Sequence, residues 1–330
     1  MRRSVCFSRF VSVVLGALLV AGGLSGCGSE QDPAAGGAQR LESPATVKHR
    51  FGSTTIDRVP KRVVTIDLQW TDTMLAMGVK PVGYTVDSLM PKSRVPWQAL
   101  PAGSTALPLD DGVPVEQIIA LNPDLIVGSF SITDKETYEL LSARAPTIAG
   151  PPSGDAVTPW QDLVRTAGAI LAEKDKAEQV IDSVAKAVSG AAREFPGLKG
   201  KTFSLAQYVV GDSMYIVANE KDGSSLLFRR LGMTLYPRVL REGRRTGKTR
   251  VNVSTERADL LRADLLTFLV NGGDKSDLTD IPEFDQLPGT VAVLDYPTVV
   301  GLNTPSPLSI PYALDQIRPY LKDAANKAGA

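Results

Sequence analysis

The apolar positions of the chain change period repeatedly, and each change marks an element. Val63-Val64-Thr65-Ile66 is a short apolar run of strand type, followed by a helical stretch from Asp72 to Met77 and a second strand-like run from Val79 to Thr85. Past a polar loop come a helix over Val115 to Leu121 and the apolar run Leu125-Ile126-Val127. Pro123 stops that helix, and so short a helix–strand connection suits a parallel sheet. A helix over Asp134 to Ala143 then leads to a strand at Pro146 to Ile148. The alternation resumes later, with strands at Thr202 to Tyr208, Met214 to Val217, Leu265 to Val270 and Val291 to Leu294. Helices are predicted there at Ser224 to Leu231 and Ala258 to Leu261, and an amphipathic helix from Ser309 to Lys322 closes the chain. Strand and helix in alternation predict an α/β fold.

Between the two alternating regions lies the longest helical signal. Thr158 can cap it, Pro159 takes the first helical position, and Pro196-Gly197 ends it. Apolar residues keep helical spacing from Trp160, Leu163 and Val164 to Val188 and Ala191. Roughly 36 residues at a rise of 1.5 Å make about 54 Å, enough to bridge two lobes. A break near Glu173-Lys174-Asp175 would instead give two helices. The predicted architecture is therefore two Rossmann-like α/β lobes, 46–157 and 197–330, joined by one long bridging helix over 158–196. A weak repeat relates the lobes. Glu116 precedes Asp124 and Glu256 precedes Asp264 at the same spacing, each time where a helix turns into an apolar strand.

The N-terminus reads differently. Arg2, Arg3 and Arg9 precede an apolar run from Phe10 to Leu24, too short to cross a bilayer, where about 20 residues are needed. It reads as a signal peptide over 1–26, ending in Leu24-Ser25-Gly26-Cys27. Those residues resemble a bacterial lipobox, in which Cys27 becomes the lipidated first residue of the mature chain. The Arg2-Arg3 pair leaves Sec and twin-arginine export both open. Residues 27–45 are small and polar and read as a lipidated tether.

Composition narrows the chemistry. Lys+Arg and Asp+Glu both number 36, and residues 1–26 hold three basic and no acidic side chains, so the mature chain is slightly acidic. That speaks against a nucleic-acid partner. Two cysteines and one histidine exclude a disulfide scaffold and a Cys/His zinc site. There is no Gly-x-Ser-x-Gly elbow, and Asp110-Asp111 sits in a Gly/Pro-rich stretch that reads as a solvated turn, so no enzyme is expected. No resident cofactor or metal is expected either.

The order of lipobox, tether, lobe, bridging helix and second lobe resembles the class III substrate-binding proteins of bacterial ABC importers. Arg62-Val-Val-Thr-Ile-Asp67, Val115-Glu-Gln-Ile-Ile-Ala-Leu-Asn-Pro-Asp-Leu-Ile-Val127 and Asn303-Thr-Pro-Ser-Pro-Leu-Ser-Ile-Pro311 are similar to the family's opening strand, its most recognisable stretch and the segment before its terminal helix. The resemblance covers residues 46 to 325. It implies a lipid-anchored, extracytoplasmic and monomeric protein that carries a ferric siderophore in a cleft between its lobes and delivers it to permease subunits. Haem or a corrinoid is the alternative cargo, weakened by the shortage of histidine beyond His49. It also implies that Glu116 and Glu256, one per lobe, engage the permease, although the helix dipole alone would favour an acid there.

In open α/β sheets ligands bind beyond the carboxyl ends of the strands. That rule selects Trp70, Tyr84, Asp87 and Phe130 on the first lobe, and Tyr208 and Asn271 on the second. Eight basic residues against one acid between Arg229 and Arg250 suggest an anionic cargo, with Arg238, Lys248 and Arg250 as ligand candidates. The Arg229-Arg230 pair departs from the family pattern.

Overall fold

The computed structural model describes residues 39–90, 94–152 and 158–327. The signal peptide and Cys27 lie outside them. Strand β1 (Arg40–His49) pairs antiparallel with β2 (Gly52–Arg58), so part of the expected tether is a hairpin strand. Leu41 and Ile56 bury against the first lobe, and Thr54 Oγ1 donates to the Thr147 carbonyl at 2.7 Å, holding the hairpin by the outermost strand.

The first lobe is a five-stranded parallel sheet. It contains β3 (Val63–Thr65), α1 (Leu68–Ala76), β4 (Gly83–Val86), β5 (Thr105–Pro108), α2 (Val115–Ala120), β6 (Leu125–Val127), α3 (Lys135–Ser142) and β7 (Thr147–Ile148). Its strand order is β5-β4-β3-β6-β7, with β3 and β6 at the point where the winding reverses. Residues of β3 and β6 are wholly buried, as central parallel strands covered on both faces should be.

The connection to the second lobe corrects one expectation. The long helical signal is two helices, α4 (Trp160–Ile170) and α5 (Lys174–Glu194). Ala172 is left-handed at φ 58°, and Glu173 N donates to the Gly168 carbonyl at 2.8 Å, which is the Schellman closure of a helix end. Glycine usually fills that position, and alanine there conceals the stop. The chain then folds back tightly: a Cβ on Gly168 would meet that of Ala177 at 2.6 Å, and Arg165 pairs with Glu178 at 2.8 Å. Only α5 bridges. Its Ala177, Ile181 and Val184 bury in the first lobe, and its Val188 and Ala191 in the second.

The second lobe contains β8 (Thr202–Val209), β9 (Met214–Val217), α6 (Ser225–Arg230), β10 (Thr234–Leu235), α7 (Pro237–Thr246), β11 (Arg250–Val253), β12 (Leu265–Asn271), β13 (Thr290–Val293), α8 (Tyr296–Asn303) and α9 (Ser309–Asn326). Its sheet runs β11-β9-β8-β12-β13, with β10 beside the start of β8. β8, β12, β13 and β10 are parallel, whereas β9 and β11 form an antiparallel flank. One face packs on α5, α6 and α9, the other on Val239 of α7 and the 3-10 segment Thr255–Leu261. The repeat has a structural meaning. Asp124 accepts the backbone N–H of Lys61 and Arg62, each at 2.7 Å, and Asp264 accepts that of Thr202 at 2.7 Å. Each aspartate ties the start of its own strand to the central strand of its lobe.

Candidate functional site

The reversal point of the first sheet is built around Asp67. It caps α1 by accepting Trp70 N at 2.7 Å, and its other oxygen accepts Ser129 N from the loop after β6. One carboxylate thus closes the ends of both central strands. Gly128 is required beside it, since a Cβ there would meet Ile66 Cγ1 at 2.5 Å. Burial pushes the Asp67 carboxyl up to about 6, against the backbone hydrogen bonds that favour its charge.

Above this floor lies a hollow of about 420 Å³ lined by Asp67, Asp87, Asp110 and Phe130 from the first lobe and Thr304 from the second. Phe130 is 46% exposed. Ser88 Oγ donates to Asp110 at 2.6 Å, and Asp87 accepts Leu89 N at 2.9 Å. Across the lobes, the Tyr296 hydroxyl at the start of α8 donates to Asp87 at 2.9 Å. Burial and that carboxylate push the tyrosine up to about 12. A smaller hollow of about 40 Å³ lies on the second lobe, where Gln207, Tyr215, Arg250 and Asn303 meet. Asn303 and Thr304 are successive residues, so the two hollows adjoin at the end of α8. Arg250 forks onto Asp222 at 3.0 and 3.1 Å and donates to Asn303 Oδ1 at 2.9 Å. Burial works against the charge of Asp222, but the hydrogen bonds from Arg250 and Ser224 outweigh it and hold the carboxyl below its usual range.

Behind the hollows the lobes are stitched by buried polar contacts. Gln69 Nε2 donates to the Pro305 carbonyl at 2.7 Å. Asp72 accepts Trp97 Nε1 at 2.8 Å, Gln98 Nε2 at 2.6 Å and the Ser306 hydroxyl of the second lobe. Burial pushes the Asp72 carboxyl up to about 6.

These positions sort the expected ligand residues. Asp87 and Phe130 line the larger hollow and Arg250 the smaller. Trp70 and Tyr208 are core residues, each 1% exposed, and do not form cleft walls. Trp70 Nε1 donates to Ser129 Oγ at 3.1 Å, and the Tyr208 hydroxyl accepts Gly211 N at 3.2 Å. Tyr84 is half-buried on β4 outside the hollow, whereas its neighbours Thr85 and Val86 line it. Asn271 is exposed at the end of β12 and lines neither hollow. Most of the basic segment is helical, in α6 and α7, rather than a cleft loop. Arg238 on α7 pairs with Asp259 at 3.2 Å, and Lys248 lines a separate groove of about 330 Å³ with Arg244 and Glu220. Glu116 and Glu256 are both exposed, each in the first turn of its short helix. Tyr215, Asn303 and Thr304 were not among the expected ligand residues. The alternation of β9, which buries Met214 and exposes Tyr215, is the signal for the tyrosine.

A family profile described as periplasmic binding protein matches residues 63–236. The crystal structure of a periplasmic solute binding protein from Mycobacterium smegmatis shares 29% identity, with a TM-score of 0.72 over 86% of this chain and 99% of that one. Streptococcus pneumoniae PiaA in complex with ferrichrome shares 26%, with a TM-score of 0.69 over the same shares of each chain. The probable siderophore-binding lipoprotein YfiY of Bacillus subtilis is 31% identical over 174 residues, 51% of either chain. The Fe(3+)-citrate-binding protein YfmC of Bacillus subtilis is 26% identical over 226 residues, 68% of this chain and 69% of that one. Against the first of these curated relatives the chain spans about half the length. Fold class and class III resemblance, both read from the sequence, are borne out, and the chain belongs to the periplasmic binding protein family.

Proposed function

We propose that this chain is the extracytoplasmic substrate-binding lipoprotein of an ABC importer and captures a ferric siderophore between its lobes. The observation that carries the reading is the larger hollow. It lies beyond the carboxyl ends of the first sheet, is completed by Thr304 of the second lobe, and presents an exposed Phe130 to a bulky ligand. Relatives whose names specify siderophore or ferric citrate binding support the same cargo class. His49, the one histidine of the sequence, is 2% exposed and bonded to Thr54, so no imidazole is offered to a haem iron. Trp97 donates to Asp72, which also accepts the hydroxyl of Ser306, two residues from Thr304 of the hollow, so its indole is the fluorescence probe chosen. Titrating tryptophan fluorescence with ferric siderophores, haem and cobalamin should give saturable quenching by a ferric siderophore. Quenching by haem or cobalamin alone would move the reading to those cargoes, and no quenching by any would remove it.

The protein acts as a monomer, anchored to the outer face of the membrane through lipid on Cys27. Glu116 and Glu256 meet the permease subunits. Such rim charges set orientation and encounter rate more than affinity. Among the described residues no helix is long and apolar enough to cross a membrane. Cys27→Ala should shift the protein from the membrane to the soluble fraction, or leave it unprocessed. Membrane retention of a Cys27→Ala protein that has lost residues 1–26 would exclude lipidation at Cys27.

A further inference from the structure

We infer that the cargo is a ferric complex of zero or positive net charge, of the tris-hydroxamate kind, selected by an acidic cleft wall. This rests on the binding-protein reading above and specifies its ligand. In the larger hollow the charged lining residues are Asp67, Asp87 and Asp110; among the described residues no lysine or arginine lines it. Asp87 and Asp110 are partnered by hydroxyl and backbone donors, so among the described residues no cation pairs with either carboxylate. In the smaller hollow Arg250 is the one charged lining residue described, and Asp222 already holds it by two hydrogen bonds. The other cations of the basic segment lie elsewhere. Arg244 and Lys248 line their own groove, and Arg238 and Arg245 pair with Asp259 and Glu242.

Three hydroxamate monoanions cancel the charge of ferric iron, and a pendant ammonium makes the complex cationic. Catecholate dianions and citrate carboxylates leave a surplus of negative charge. A cleft lined by one sign of charge concentrates the opposite sign and repels its own. Exposed Phe130 and Tyr215 add apolar faces suited to the methylene chains of a linear hydroxamate.

The test is a fluorescence titration with four probes: ferrioxamine B (cationic), ferrichrome (neutral), ferric dicitrate and ferric enterobactin (both anionic). Ferrioxamine B or ferrichrome should bind at least about tenfold more tightly than either anionic complex. Asp87→Asn/Asp110→Asn should weaken ferrioxamine B about three- to tenfold and leave ferrichrome within about twofold. Asp110 is exposed, so Asp110→Asn alone serves if the double variant melts early. Tighter binding of an anionic complex, or a variant that holds ferrioxamine B as wild type does, would overturn the charge assignment and leave the importer reading standing. Binding of no ferric complex would remove both.

Discussion

Replacing Asp72 by alanine should lower the melting temperature by about 6–9 °C while sparing the secondary structure. Asp72 is 1% exposed and receives the Trp97 indole, the Gln98 amide and the Ser306 hydroxyl. Without it one buried and two half-buried donors lose their acceptor, each at a cost of about 1–3 kcal/mol. Removing a desolvated carboxylate returns part of that, leaving about 3 kcal/mol, at roughly 2–3 °C per kcal/mol for a chain of this size. Ser306 belongs to the second lobe, so the loss falls on the contact between lobes. Asp72→Asn keeps an acceptor oxygen and should cost less. A thermal melt of Asp72→Ala within about 1 °C of wild type would exclude Asp72 as a hub.

The same residue predicts a pH dependence of definite sign. Burial raises the folded-state value of Asp72 from 3.8 to about 6, so the folded chain takes up the proton more readily than the unfolded one. The resulting stabilisation is fully present below pH 3.8 and is lost as pH rises through about 6. Asp72→Asn lacks this titration. The stability difference between wild type and Asp72→Asn should therefore move in favour of wild type as pH falls from about 7 to about 4. Denaturant melts across that range giving a constant difference would contradict the buried, proton-accepting carboxyl.

How much of this was legible in the sequence depended on parity and on where helices begin. The apolar run Leu125-Ile126-Val127 could be read directly because a central parallel strand is buried on both faces. Trp70 misleads because the expected helix began at Asp72. It begins at Leu68, capped by Asp67, and that earlier start turns the indole into the core. Tyr208 misleads through parity. It shares a sheet face with Ala206, and the residue between them, Gln207, lines the hollow. Along α7 only Val239, Leu240 and Gly243 face inward, too few apolar positions to announce the helix, whereas glycine at position 247 is an ordinary helix stop. The α4–α5 break carried no glycine at its left-handed residue, so the apolar periodicity ran straight through it.

Lys186→Pro should destabilise the protein by about 3 kcal/mol or more and loosen one lobe against the other. Lys186 is exposed on α5, so its side chain contributes little to the core. It sits between Val184, buried with the first lobe, and Val188, buried with the second. Proline there removes a helical hydrogen bond and clashes with the preceding turn at the point where the helix passes from lobe to lobe. An unbroken α5 opposes large closure, because bending it sharply would sacrifice those bonds. Tyr296–Asp87 and Gln69–Pro305 add ties across the same boundary. Scattering profiles of the wild type with and without its ferric ligand should therefore nearly superimpose, whereas the proline variant should show a larger change. A wild type whose radius of gyration falls by several ångströms on binding would mean that the lobes swing despite α5. A variant that melts with the wild type and scatters identically would mean that α5 does not set the geometry of the cleft.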